Sequence, residues 1–197
     1  MRKILEAIVL GIFCGLLTRI AEQYLPENLK FLTETKIIWL LPAFLIALGA
    51  PYRHKKFYSI ITAVAAILAT GYTYYFSESI KAGNFPGLTS DVINFTALGF
   101  FAGAATGFLA FLSRSATNQF IRYGSMSLLP AIFTGDGLES IISTLNNFEF
   151  TPEIATKIFG GFISYALVAG KNKFKRKSLA IFTTIAAFST LAYLYMV

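Results

Sequence analysis

The sequence predicts an all-α membrane protein with about seven transmembrane helices. Of its 197 residues, 55% are hydrophobic and only 14% are charged, whereas a soluble domain carries about 25% charged residues. The chain also contains seven apolar segments that approach the ~20 residues an α-helix needs to cross a bilayer. These observations exclude a soluble globular enzyme, a disordered chain and a disulfide scaffold.

The predicted helices alternate with short segments of turn, cap and charged residues. The helices cover residues 4–24, 37–52, 57–76, 92–112, 120–136, 154–170 and 178–196. Segments 26–28, 51–56 and 84–87 combine proline with polar or basic residues and mark breaks between helices. Thr151 followed by Pro152 is typical of a helix N-cap with proline at the first helical position.

The first apolar segment follows Arg2 and Lys3, as the apolar part of a signal peptide would. However, Arg19 and Glu22 occupy the place where a signal peptide has small residues for cleavage. We therefore expect this segment to be retained as the first transmembrane helix.

The distribution of charge predicts the orientation of the helices. If the N-terminus is cytoplasmic and the helices alternate, twelve of the seventeen Lys and Arg residues lie on the cytoplasmic side. Nine of the ten acidic residues then lie towards the other side. Because basic excess in short loops marks the cytoplasmic face, we expect seven spans that end outside. If segment 120–136 or 154–170 is re-entrant, six helices span the membrane.

An internal similarity predicts a repeat within a single transmembrane domain, 1–197. A shift of 88 residues matches ten of the forty positions from 10 to 49, and it aligns Pro42 with Pro130. The aligned helices run in opposite directions in the predicted topology, which gives a 3+3 inverted repeat. Its halves are 4–76 and 92–170, and 178–196 is an extra helix. The alternative is that the small-residue composition common to membrane helices produces the similarity.

Two features of these helices favour particular packing and shape. Pro42 and Pro130 each remove a backbone hydrogen bond, so we expect a kink at each. Small residues recur every four positions on the first and fourth helices, where they allow close helix packing. They are Ala7, Gly11, Gly15, Gly99, Gly103 and Gly107. We expect packing within the chain, and the alternative is docking of a partner membrane subunit or a second copy.

Four ionisable residues near the predicted outer face are candidates for a solute site. They are Arg19, Glu22, Asp136 and Glu139, and ionisable groups inside spans are often functional. Pairing of Arg19 with Asp136 or Glu139 would give polar contacts, and Tyr72 and Tyr75 would supply an aromatic wall. Three structural alternatives exist: a capping box from Asp136 to Glu139, snorkelling of Arg19 and Glu22, and an interfacial aromatic belt.

Motifs for catalysis and metal binding are missing from the sequence. It contains no H-E-x-x-H, G-x-S-x-G, Walker or C-x-x-C motif. With a single histidine, His54, and a single cysteine, Cys14, we expect no metal, no cofactor and no internal disulfide. The net charge of +7 arises from short basic loops, so membrane orientation explains it better than nucleic-acid binding.

The chain resembles a family of small multi-pass bacterial membrane proteins that is known only as a domain of unknown function. The likeness lies in segments 39–49, 71–75, 99–107 and 137–139, and it implies a bacterial inner-membrane location. The chain also resembles, more weakly, the substrate-binding subunits of energy-coupling-factor transporters. Those subunits dock their partner through small residues on helix one, but they have six spans.

The leading hypothesis is therefore a small-solute permease or a solute-binding component of a transporter. In this hypothesis the solute lies among predicted helices one, two, four and five. The second hypothesis is a non-catalytic partner subunit or assembly factor of a larger membrane complex. The third is a membrane enzyme in which Glu139 is required for turnover.

The inverted repeat makes a prediction about orientation. A reporter fused after Lys30 should lie outside the cell, and one fused after Ala116 should lie in the cytoplasm, because one helix of each aligned pair ends there. Paired alkaline phosphatase and green fluorescent protein fusions measure this orientation. A map that gives both halves the same orientation would contradict the repeat.

Overall fold

The computed structural model describes residues 1–34, 37–50, 55–81, 89–143, 151–170 and 176–196. The regular elements in these ranges are all helices, as predicted. They are α1 (Arg2–Tyr24), a 3-10 turn (Glu27–Leu29), α2 (Phe31–Glu34), α3 (Ile37–Leu48), α4 (Lys55–Lys81), α5 (Ser90–Ser115), α6 (Gln119–Ser143), α7 (Pro152–Ala169) and α8 (Arg176–Met196). His54 and the rest of 51–54, the predicted turn at 84–87 and the cations at 171–175 lie outside the described residues.

Four of these helices are long and apolar enough to cross a membrane, namely α1, α4, α5 and α8. A shorter apolar stretch, Trp39–Leu48, lies in α3. This composition indicates a membrane protein. The set does not include α6, which carries Asp136 and Glu139, or α7, which carries Glu153 and Lys157. The number of spans and their orientation stay predictions.

The chain divides into two compact units, Met1–Phe111 and Leu112–Val197. Unit 1 contains α1 to α4 and most of α5, and unit 2 contains α6 to α8. The boundary falls inside the predicted repeat half 92–170, so the units do not coincide with the predicted halves. The repeat and the single domain stay predictions.

In unit 1, small residues of α1 pack directly against α4. Ala7, Gly11 and Gly15 are all buried. A Cβ atom on Gly11 would lie 2.8 Å from the Cβ of Ala69, and one on Gly15 would lie 2.9 Å from the Cβ of Thr73. A larger residue at either glycine would therefore force the helices apart, and they would lose the dispersion contacts that hold closely packed helices together.

Close packing at glycine residues also brings α5 against α4. A Cβ atom on Gly103 would lie 2.7 Å from the Cα of Val64, and one on Gly107 would lie 2.5 Å from the Cα of Ile60. Gly99 lies against side chains of the next turn of α4. The small-residue faces of α1 and α5 are thus occupied by helix contacts within unit 1.

These contacts fix the relative directions of the helices in unit 1. Gly11 and then Gly15 meet successively later residues of α4, so α1 and α4 are parallel. Gly99, Gly103 and Gly107 meet successively earlier residues of α4, so α5 is antiparallel to it. It follows that α1 and α5 run in opposite directions.

The central helix of unit 2 is α6, and α7 packs antiparallel to it. Gly161 of α7 lies against Pro130, and Gly137 of α6 lies against Ile158. A later residue of α6 thus meets an earlier residue of α7. Glycine again permits the close approach, this time from both helices.

The last helix, α8, packs parallel to α6. Ala131 shares a buried cluster with Phe182 and Ala186. Gly135, one turn further along α6, lies against Ser189. The two helices therefore advance together along this contact.

Predictions about two helix ends had opposite outcomes. Thr151 is the N-cap of α7, where its side chain accepts a hydrogen bond from a backbone N–H, and Pro152 is at the start of the helix, which confirms the prediction. The predicted capping box from Asp136 to Glu139 is wrong, because α6 continues through both residues to Ser143. Packing of α6 against α7 and α8 stabilises a longer helix than the local cap signal suggests.

Both predicted kink positions lie inside helices, Pro42 in α3 and Pro130 in α6. Pro130 is fully buried, and its carbonyl accepts a hydrogen bond of 3.0 Å from the hydroxyl of Thr134. Neither proline can donate the backbone hydrogen bond of a regular helix. The kinks themselves stay predictions.

The glycine contacts predict a difference between two Gly→Ala variants. Gly107→Ala should lower the free energy of unfolding by about 1–3 kcal/mol, because the new methyl group overpacks against the backbone of α4. Gly124→Ala is the matched control, because a Cβ there meets no atom within 4 Å. Alanine's helix propensity should make it neutral or stabilising by up to about 1 kcal/mol. Thermal unfolding in detergent measures both, and equal stability of the two variants would contradict the contact.

Candidate functional site

A cavity of about 390 Å³ lies in unit 1 among α3, α4 and α5. Ligand pockets typically have volumes of about 300–1,000 Å³, so this cavity suits a small solute. We call it the unit 1 cavity. Among the residues that the structure describes, its lining comprises three aromatic residues, two polar residues and five small or aliphatic ones. These are Trp39, Tyr75 and Phe95, then Asp91 and Asn94, then Leu40, Ile67, Leu98, Gly99 and Ala102.

The aromatic lining belongs to a larger cluster of rings, which we call the aromatic cluster. Its members are Trp39, Tyr72, Tyr74, Tyr75 and Phe95. The ring centroid of Phe95 lies 5.8 Å from that of Trp39 and 5.5 Å from that of Tyr75. Tyr74 lies 5.7 Å from Trp39 and 5.3 Å from Tyr75. The rings are steeply inclined to one another, an arrangement favoured by aromatic quadrupoles, and they form a continuous wall.

The Phe95 ring can contact both Trp39 and Tyr75 because α4 has a glycine, Gly71, where the ring packs. A Cβ atom on Gly71 would coincide with the Phe95 ring. Tyr72 meets the Phe95 ring nearly edge-on, at 6.5 Å between centroids, and its hydroxyl is 2.9 Å from that of Thr96. The glycine in the segment 71–75 thus creates the space for the ring that lines the cavity.

A polar network next to the aromatic cluster joins α1 to α4. Arg19 Nη1 lies 2.6 Å from Glu22 Oε2, and the Tyr74 hydroxyl donates a hydrogen bond of 2.7 Å to Glu22 Oε1. Glu78 Oε1 lies 4.0 Å from Arg19, and the guanidinium also lies over the Tyr74 ring. Only 16% of the Arg19 side chain is exposed. Both oxygens of Glu22 are engaged, so this carboxylate fixes Tyr74 and Arg19 together.

Hydrogen bonds from α1 also orient Trp39. The indole Nε1 donates to the hydroxyl of Thr18 at 3.2 Å. That hydroxyl in turn donates to the backbone carbonyl of Cys14 at 2.9 Å. Thr18 is buried, so its hydroxyl gives the indole N–H a partner away from water. The tryptophan ring is therefore fixed by α1 although it belongs to α3.

The residues proposed from the sequence fall on different parts of this arrangement. Tyr75 lines the unit 1 cavity, and Tyr72 belongs to the aromatic cluster. Arg19 and Glu22 form the polar network that supports the cluster, but they do not line the cavity. Trp39 both contacts Thr18 of α1 and lines the cavity.

Sequence reasoning missed the residues that α5 contributes to the cavity. Asp91, Asn94, Phe95, Leu98 and Ala102 line it, and each lies three or four residues from another member of the set, which places them on one face of the helix. This stripe is about 16 Å long; it starts with a carboxylate and an amide and continues as apolar side chains. A search for helical stripes that begin with polar residues would have found it.

The cavity has the chemistry of a binding site. Its rings and aliphatic side chains offer apolar contact area, while Asp91 and Asn94 can orient a polar group of a ligand. Within the described ranges, no group of three or more His, Cys, Asp or Glu side chains is arranged to hold a metal ion.

The remaining candidate residues lie in unit 2, where Asp136 forms part of a charged cluster. Lys157 Nζ lies 2.9 Å from Asp136 Oδ2 and 2.8 Å from Glu153 Oε1, and only 13% of the Lys157 side chain is exposed. The cluster joins α6 to α7 beside Gly137. Glu139 is partly buried on α6, one turn beyond Asp136. The predicted pairing of Arg19 with Asp136 or Glu139 stays a prediction.

The charged cluster predicts that the protein loses stability when the cation Lys157 is removed. Lys157→Met should lower the free energy of unfolding by about 1–3 kcal/mol, because Asp136 and Glu153 then face each other without a counter-charge. Lys30→Met is the matched control, since Lys30 is 45% exposed and lies 3.8 Å from Glu27, and such surface pairs contribute about 0–1 kcal/mol. Thermal unfolding in detergent compares the two, and an equal effect would contradict a structural role for the cluster.

Comparison with known proteins gives a family without an assigned activity. No curated protein and no solved structure matches the chain. A family model described as "Family of unknown function (DUF6518)" matches residues 1–197. The match confirms the predicted likeness to an uncharacterised family. Because it covers the whole chain, the protein belongs to this family of unknown function, DUF6518.

Proposed function

We propose that the protein binds a small solute in the unit 1 cavity, as a permease or a solute-binding component of a transporter does. The observation that carries this proposal is the cavity itself, with three aromatic rings and two polar side chains in a concave, otherwise apolar lining. Concave, largely apolar sites with a few polar groups are typical of small-molecule binding. Transport is the function that best fits such a site in a protein built of membrane-length helices.

The position of the cavity in unit 1 supports access from outside the cell. The N-terminal amine contacts the Tyr58 hydroxyl at one end of the α1–α4 pair, where Lys3 also lies. Glu22 and Tyr74 meet at the other end. Trp39 and Tyr75, whose rings contact Tyr74 at that end, line the cavity. Because basic residues mark the cytoplasmic face, the cavity would open on the outer side.

The membrane topology is part of the same proposal. It comprises seven spans in a bacterial inner membrane, with the N-terminus in the cytoplasm and an inverted repeat. The opposite directions of α1 and α5, which contain the aligned segments, support the repeat. Antiparallel α7 and parallel α8 around α6 agree with helices that alternate in direction.

The alternative proposal is a non-catalytic partner subunit or assembly factor of a larger membrane complex. Gly11 and Gly15 on α1, and Gly103 and Gly107 on α5, pack against α4. These faces are therefore not available for a partner while unit 1 is intact. A homo-oligomer or a partner membrane subunit would have to use other surfaces.

Solute capture with a blocked cavity tests the proposed function. The protein in lipid nanodiscs is incubated with a protein-free extract of bacterial cells, and retained small molecules are identified by mass spectrometry. We expect a solute to be enriched over empty nanodiscs, and Ala102→Trp to reduce its retention about tenfold or more by filling the cavity. Ala105→Trp is the matched control, because Ala105 is exposed on the same helix and does not line the cavity.

A second variant keeps the test informative if Ala102→Trp misfolds. Leu98 lines the cavity but is 70% exposed, so Leu98→Trp narrows the cavity with little strain. The function is contradicted if no solute is enriched, or if both cavity variants retain as much solute as Ala105→Trp. Thermal unfolding of each variant establishes that the compared proteins are folded.

A further inference from the structure

We infer that the solute is a small organic cation, which contacts the aromatic lining formed by Trp39, Tyr75 and Phe95 and the carboxylate of Asp91. The inference rests on the proposed function, because it names the chemistry of the ligand for the same cavity. Two independent features of the lining support it, namely its aromatic rings and the sign of its charge.

The ring faces are the first feature. A cation within about 6 Å of a ring centroid is attracted to the negative face of the ring, and tryptophan is the strongest partner. The Phe95 ring contacts those of Trp39 and Tyr75, with centroids 5.8 and 5.5 Å apart, and all three residues line the cavity. A cation in the cavity can therefore contact more than one ring, as ammonium ligands do in aromatic cages.

The charge of the lining is the second feature. Of the ten lining residues within the described part of the chain, Asp91 alone carries a formal charge at neutral pH. Arg19, the cation on the adjacent part of α1, is paired with Glu22 and does not line the cavity. The carboxylate of Asp91 would repel an anionic solute and attract a cationic one. Asn94, one turn along α5, adds an amide oxygen that can accept a hydrogen bond.

Asp91 also has a structural role that must be separated from ligand binding. It lies in the first turn of α5, where a carboxylate interacts favourably with the helix dipole. Loss of that interaction would change stability, but it would not change the preference between ligands of different charge. Charge selectivity is therefore the measurement that distinguishes the two roles.

The intrinsic fluorescence of Trp39 supplies a direct readout. The chain contains one tryptophan, and it lines the cavity, so binding there changes its emission. Three soluble probes of similar shape are titrated into nanodiscs: choline, the neutral 3,3-dimethyl-1-butanol and the anionic 3,3-dimethylbutanoate. We expect choline to bind about tenfold more tightly than the neutral probe, and the anion to bind least.

Variants of the two polar lining residues complete the test. Asp91→Asn should weaken choline binding about three- to tenfold and leave the neutral probe unchanged, because only the charge is removed. Glu27→Gln is the matched control, since this carboxylate is 95% exposed outside the cavity. Asn94→Asp adds a second carboxylate to the lining and should strengthen choline binding, which keeps the test decisive if Asp91→Asn is unstable.

The outcomes separate this inference from the proposed function. Equal binding of choline and the neutral probe, preference for the anion, or no fluorescence response to any probe would overturn the organic cation. If the probes give one of these results but Ala102→Trp abolishes retention of a natural solute, the proposed function is still supported. If no solute is retained at all, the function itself fails.

Discussion

The close approach of α1 and α5 to the backbone of α4 is the constraint on which unit 1 depends. Gly11 and Gly15 on one helix, and Gly103 and Gly107 on the other, leave no room for a Cβ atom. In a membrane the lipid chains are as apolar as the side chains, so helices gain little from hydrophobic association. Dispersion between closely packed surfaces is then the main attraction, and small residues give the most contact.

The register of these contacts determines where the functional groups lie. Because α1 is parallel to α4, Glu22 reaches Tyr74, and packing of α3 beside α1 brings Trp39 to Thr18. Because α5 is antiparallel to α4, the Phe95 ring settles over Gly71. Packing along the middle of the helices thus assembles the aromatic and polar groups at one end. Glycine has two roles in this design, since it sets the helix distance and also makes space for a lining ring.

Some parts of this arrangement could be predicted from the sequence and others could not. The periodicity of small residues identified the faces that pack, and Thr151-Pro152 identified a helix start, because both signals are local. The capping box at Asp136 was a local signal too, yet tertiary packing extended α6 through it. The cavity residues Asp91 and Asn94 were missed because their importance depends on rings supplied by α3 and α4.

The sequence by itself determined that the chain is helical and suited to a membrane, because composition and the length of apolar segments depend only on which residues follow one another. It also named the rare charged and aromatic residues from which a site can be made. The tertiary structure decided their partners: Glu22 accepts a hydrogen bond from Tyr74, Asp136 pairs with Lys157, and Trp39 packs with the rings of α4 and α5. Each of these contacts joins residues on separate helices, so the register of helix packing selects them.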